Sequence, residues 1–70
     1  MKIGSVLQAA REKIGLTQQQ LADRAELHRT YISMMERDER CPSIEVWFRI
    51  CKALGVKPST LMARLEELND

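Results

Sequence analysis

Residues 16–37 constrain this chain more than any other stretch, because they read as two short helices joined by a tight turn. Thr17 and Gln20 match a capping box, in which each side chain satisfies a backbone donor of the other residue. Leu21, Ala22 and Ala25 then recur at helical spacing. A turn is expected around Glu26 and Leu27. His28 stands where the next helix needs a cap, a position histidine does not favour. In that next helix Ile32 and Met35 recur at i, i+3 and face the core, with Leu27 stapling the entry. The opposite arc carries Arg29, Thr30, Ser33, Met34 and Arg37 on one face, pointing away from the core.

A second helix with one uncommitted polar face, set off from its partner by a turn, is a device for entering the major groove of DNA. Arginine near the start of such a helix suits bidentate contact with guanine. Periodicity alone more often means a solvated surface. Net charge is +1 and is spread evenly. Residues 1–40 hold seven basic and six acidic side chains, and residues 41–70 hold four of each. A DNA footprint therefore depends on local placement, with Arg29, Arg37 and Arg40 joined by Arg24 or Lys13 on one surface. Helix N-termini add uncharged phosphate contacts.

Seventy residues allow one domain with a small core. Cys41 and Cys51 form no metal-ligand pattern and read as reduced thiols of a cytoplasmic protein, with Cys51 on an apolar helix face. His28 is the sole histidine, so neither a histidine metal cluster nor a catalytic relay is expected, and its place is at a helix start near a phosphate. No nucleophile–base pair or phosphate loop stands out, so neither an enzyme nor a cofactor is expected. Uninterrupted apolar runs are no longer than Val46-Trp47-Phe48, so neither a membrane-spanning helix nor a signal peptide is expected.

The whole chain reads as all-α, with five helices. The first runs from about Ile3 to Ile14, with Ile3, Leu7, Ala10 and Ile14 as its stripe and Gly15 as its stop. The pair at about 17–36 follows, then a polar connection from Arg37 to Pro42. Ser43 caps a fourth helix that carries Val46, Trp47, Ile50, Cys51 and Leu54 before Gly55 ends it. Pro58 suits the first turn of a fifth helix bearing Leu61, Leu65 and Leu68. The apolar positions of residues 44–68 exceed what so small a core needs. The exposed part of the set Val56, Leu61, Met62 and Leu65 is therefore expected to supply a two-fold dimer contact, with core as the plain alternative for the leucines and Trp47 in the core or at the contact's margin.

Leu16-Thr17-Gln18, Leu21-Ala22, Tyr31-Ile32-Ser33, Glu36-Arg37, Pro42-Ser43 and Ala53-Leu54-Gly55-Val56 together resemble the five-helix, lambda-repressor-like domain of Cro and C1 type, also called the Xre-type helix-turn-helix. His28 to Ser33, with Glu36, Arg37 and the downstream Arg40, is most similar to controller proteins of restriction–modification systems. The resemblance implies that Thr17 and Gln18, at the start of the second helix, meet the phosphate backbone, and that Gln18 braces the recognition helix. It implies that Arg29, Thr30, Ser33 and Met34 face the groove, with Tyr31, Arg37 and Arg40 along the phosphates or at the groove edge. Packing under the recognition helix is an equal alternative for Tyr31. It also implies an internal Arg11–Glu36 salt bridge. The chain departs from the family at Glu26, where glycine is usual, and at Met34, which replaces a polar residue.

These readings converge on a single domain, residues 1–70, that binds double-stranded DNA as a homodimeric transcriptional regulator or repressor. No metal, cofactor, membrane partner or small-molecule effector is expected. The rival reading is an antitoxin that neutralises a partner toxin, for which the short segment Glu66 to Asp70 leaves little material.

Overall fold

A computed structural model describes the backbone of residues 3–69 and the side chains of residues 3–64. The helices are α1 (Gly4–Lys13), α2 (Gln18–Ala25), α3 (Arg29–Glu36), α4 (Ile44–Leu54) and α5 (Pro58–Asn69), with no strand among the described residues. Helix α2 packs against both α3 and α4. Helix α1 covers α3 and α5, and α4 closes on α5. Their shared core holds Leu7, Leu21, Ile32, Met35, Ile50, Cys51 and Leu61, all without solvent exposure.

Four helices end in the same way. At the C-terminus of α1, Gly15 takes φ +74°, so that its N–H reaches the Glu12 carbonyl (3.0 Å) and the Leu16 N–H reaches the Arg11 carbonyl (3.1 Å). Helix α4 repeats this with Gly55 and Val56. Helices α2 and α3 repeat it with Glu26 (φ 58°) and Asp38 (φ 59°), where the N–H groups of Leu27 and Glu39 bond back to Ala22 and Met34 (both 2.8 Å). At the other ends, the Ser43 hydroxyl accepts from the Val46 N–H (3.2 Å), and Pro58 opens α5.

Two expectations need correction. Ile14 is 45% exposed and does not extend the α1 stripe. The left-handed turn at Gly15 redirects the chain, and Leu16 enters the core in its place. Leu61 is fully buried, so it belongs to the core of the single chain and not to a dimer surface, and Trp47, at 8% exposed, takes the core place, one of its two alternatives. Helix α5 lies across α1 and α4, and this turns Leu61 inward. Of the expected interface set, Met62 is exposed and Val56 half-buried, while the side chain of Leu65, like that of Leu68 on the same stripe, lies outside the described residues.

The N-terminus of α1 sits directly on the end of α3. A Cβ at Gly4 would collide with the Glu36 carbonyl, so this close approach requires glycine. The Gly4 N–H donates to Asp38 Oδ1 (2.8 Å), which supplies from a distance the cap that Ile3 lacks. Gly4→Ala should lower the free energy of unfolding by about 1–3 kcal/mol through overpacking, despite alanine's better helix propensity. Ser5→Ala, one residue on and exposed, should change it little. Urea denaturation of the two variants checks this.

Candidate nucleic-acid interface

The α2–α3 unit owes its shape to local chemistry. The Gln20 N–H donates to Thr17 Oγ1 (3.1 Å), and the Thr17 N–H donates to Gln20 Oε1 (2.9 Å), so the capping box is complete. After the turn at Glu26, His28 occupies the α3 cap position with extended backbone, and its side chain makes no cap hydrogen bond. Ile32 and Met35 are fully buried, while Leu27 and Tyr31 are half-buried against the same core.

This burial sets the outward face. Arg29, Thr30 and Arg37 are exposed on α3 and at its end. Ser33 and Met34 are half-buried, so Met34 stands less free than the sequence suggested. Thr17, His28 and Arg40 are exposed, and Gln18 is half-buried at the start of α2. The Arg40 guanidinium lies 5.3 Å from the centre of the Tyr31 ring, within cation–π range. Tyr31 therefore packs on the core with one face and carries a cation on its ring. Arg37 pairs with Glu39 (2.7 Å), and both side chains are at least half exposed.

One buried network fixes α3 beneath this face. Arg11 Nε and Nη2 grip the two oxygens of Glu36 at 2.7 and 3.0 Å, and Arg11 Nη1 donates to the Leu16 carbonyl (2.7 Å). Gln18 Nε2 donates to Glu36 Oε1 (3.0 Å). The Glu36 side chain is 4% exposed, so its charge is compensated from within the protein. The hydrogen bond to Glu36 raises the Arg11 pKa above its usual value, outweighing burial, which acts the other way. Gln18 thus spans the start of α2 and the end of α3.

Two polar residues matter here that the sequence did not single out. Asp38 caps α1, as described above. Arg49, on α4, donates to the Ala25 and Glu26 carbonyls (3.1 and 2.6 Å). Neither carried a signal, because each bond joins residues far apart in the chain.

Elsewhere, Ile44, Phe48 and Met62 leave apolar surface exposed on α4 and α5. A cavity of about 150 Å3 opens beside them, lined by Ile3, Cys41, Pro42, Ser43, Ile44, Trp47 and Met62. Trp47 Nε1 is buried with no hydrogen-bond partner among the described residues. Cys41 is exposed and Cys51 buried, both as free thiols, and burial pushes the Cys51 pKa up. No cluster of three His, Cys, Asp or Glu side chains suited to a metal occurs among the described residues. No helix there is long and apolar enough to cross a membrane.

Five helices, with a braced second helix presenting the polar face of a third, define a helix-turn-helix domain. The helix-turn-helix family model matches residues 7–61, and the chain belongs to that family. Among its relatives, control protein C.BamHI of Bacillus amyloliquefaciens is 44% identical over 57 residues, which cover 81% of this chain and 70% of that protein. The immunity repressor protein of Bacillus phage phi105 is 37% identical over 62 residues, covering 89% of this chain but 43% of the repressor. The chain thus spans less than half the length of the phage protein. A solved structure of the restriction–modification controller protein C.Esp1396I, a tetramer in complex with its natural 35 base-pair operator, superposes with a TM-score of 0.86. It is 35% identical, over 94% of this chain and 87% of that one.

The Arg11–Glu36 pair yields a stability test. Glu36→Ala leaves a buried guanidinium without its partner and should cost about 3 kcal/mol or more. Glu39→Ala removes only a surface partner and should cost less than about 1 kcal/mol. Thermal and urea unfolding of the two variants checks the contrast.

Proposed function

We propose that this chain is a sequence-specific DNA-binding transcriptional regulator that acts as a homodimer on palindromic operators, in the manner of a restriction–modification controller protein. The observation that carries the reading is the exposed α3 face held over the Arg11–Glu36–Gln18 network. A rigid helix with polar side chains on its outer arc meets the geometric demand of groove reading, and the kinship with controller proteins supports the same function. Its action is binding and not catalysis, and a double-stranded DNA ligand fits a cytoplasmic protein.

In this mechanism α3 enters the major groove. Arg29, Thr30, Ser33 and Met34 meet base edges, with Met34 offering apolar contact to a thymine methyl. Thr17, Gln18, His28, Tyr31, Arg37 and Arg40 lie towards the backbone and set register. Gln18 combines two jobs, since its amide already braces Glu36. A second copy supplies the other half-site, with recognition helices about 34 Å apart, one DNA turn. The apolar surface of Ile44, Phe48 and Met62, with half-buried Val56 near it in sequence, is the face assigned to that copy. Control then follows protein concentration through the dimer equilibrium.

Binding to a palindromic duplex selected from a random pool should weaken steeply with salt, and a scrambled duplex should bind far less well. Arg29→Ala should relax preference at one position per half-site, at a cost of about 1–3 kcal/mol. Unchanged preference in that variant, measured by fluorescence anisotropy, refutes the assigned face. Met62→Glu should give folded monomers and weaken operator binding more than non-specific binding. Sedimentation velocity reads this, and a parent chain that is monomeric at micromolar concentration and binds one copy per palindrome refutes the dimer. Leu61→Glu is no test of it, since a charge there enters the core.

A further inference from the structure

The turn between α2 and α3 puts glutamate where backbone sterics favour glycine. Glu26 has φ 58° and ψ 47°, and an L side chain in that region crowds the following carbonyl. The conformation is nonetheless required, because it lets the Glu26 and Leu27 N–H groups close the end of α2 on the Asp23 and Ala22 carbonyls (3.3 and 2.8 Å). The same two torsions set the direction in which the chain leaves α2 for α3.

Arg49 grips the two peptide planes that these torsions relate. Its Nε donates to the Ala25 carbonyl (3.1 Å), in the peptide before Glu26, and its Nη2 donates to the Glu26 carbonyl (2.6 Å), in the peptide after it. A guanidinium is planar and its donors form a rigid fork, so holding both oxygens fixes the two planes relative to each other. Both acceptors lie at the end of a helix, where carbonyls lack intrahelical partners and the dipole favours a cation. Lysine presents one compact ammonium on a flexible stem and lacks this rigid fork.

We infer that Arg49 is a positioning residue for the recognition helix, a clamp that holds Glu26 left-handed and so fixes how α3 is presented. Its effect on DNA rests on the function proposed above, and its effect on the fold does not. Base contacts depend on that presentation more than phosphate contacts do, because base edges demand both register and angle. Arg49 therefore acts on specificity without touching a base.

The test is a double-substitution cycle on the full chain, using Arg49→Ala, Arg49→Lys, Glu26→Gly and the combined Arg49→Ala/Glu26→Gly. Melting temperature is one readout. The other is the ratio of affinities for the selected palindromic duplex and a scrambled duplex of equal length. Arg49→Ala should lower the melting temperature and cut the ratio roughly tenfold, the loss of a charge-assisted hydrogen-bond pair. Arg49→Lys should resemble Arg49→Ala although the charge is kept. Glu26→Gly should alter the parent little yet restore most of both losses in the Arg49→Ala background, because glycine holds the left-handed turn unaided.

Retention of the parent ratio and melting temperature by Arg49→Lys would reduce Arg49 to a simple charge and overturn the inference. So would a combined variant no better than Arg49→Ala. If Arg49→Ala does not fold, the same cycle is run on Arg49→Lys, with rescue by Glu26→Gly read identically. If the parent shows no preference for its selected duplex, the DNA-binding reading falls. The melting-temperature cycle then decides the clamp by itself, recovery supporting it and simple additivity overturning it.

Discussion

The two-pronged contact of Arg11 with Glu36 is the interaction on which the rest of the domain depends. It joins the last turn of α1 to the last residue of α3. Through Leu16 and Gln18 it also reaches the loop before α2 and the first turn of α2. Burying both charges carries a desolvation cost, so the pair is a poor source of net stability. What it supplies is direction. A carboxylate accepting from three donors at once has few alternative placements, and those donors come from α1 and α2. An apolar contact at the same spot would fill space without fixing the rotation of α3 about its own axis. That rotation decides which side chains face outwards.

The helix ends share a second constraint. Each of four helices closes through a left-handed residue, but only two of these residues are glycine. At Gly15 and Gly55 the backbone conformation needs no help. At Glu26 and Asp38 a side chain opposes it, and at both places a long-range hydrogen bond is present. Arg49 holds the carbonyls around Glu26, and Asp38 itself accepts from the Gly4 N–H. The two non-glycine turns are those that bound α3. Local preference therefore yields to tertiary bonding where the position of α3 is set, whereas α1 and α4 end by local preference alone.

This division also explains what the sequence disclosed. The Thr17–Gln20 box, the Ser43 cap, the two glycine stops and Pro58 are features of neighbouring residues, and each was legible. So was the inward stripe of Ile32 and Met35, which fixes the outward arc by exclusion. Leu61 was misplaced because helical spacing gives an apolar stripe without saying whether its own chain or a second one covers it. Ile14 was misplaced because the glycine turn after it changes the chain's direction, which periodicity ignores. Arg49 and Asp38 were missed because polar residues on an exposed arc look alike until the fold brings a carbonyl or a free N–H to them.

The near-neutral charge of the chain reads differently once the carboxylates are located. Glu36 is enclosed by Arg11 and Gln18, and Asp38 faces the N-terminus of α1. Neither is a free anion beside the outward face of α3. Glu39, by contrast, holds Arg37 at 2.7 Å in open solvent. Such an exposed pair contributes little, because water and salt screen it. Arg37 is therefore held only weakly by Glu39 and stays available to another anion. Arg29 and Arg40 have no such rival among the described residues, and Arg40 keeps its place over Tyr31. Two carboxylates at the end of α3 are thus committed to the architecture, while Arg29, Arg37 and Arg40 stay at the surface.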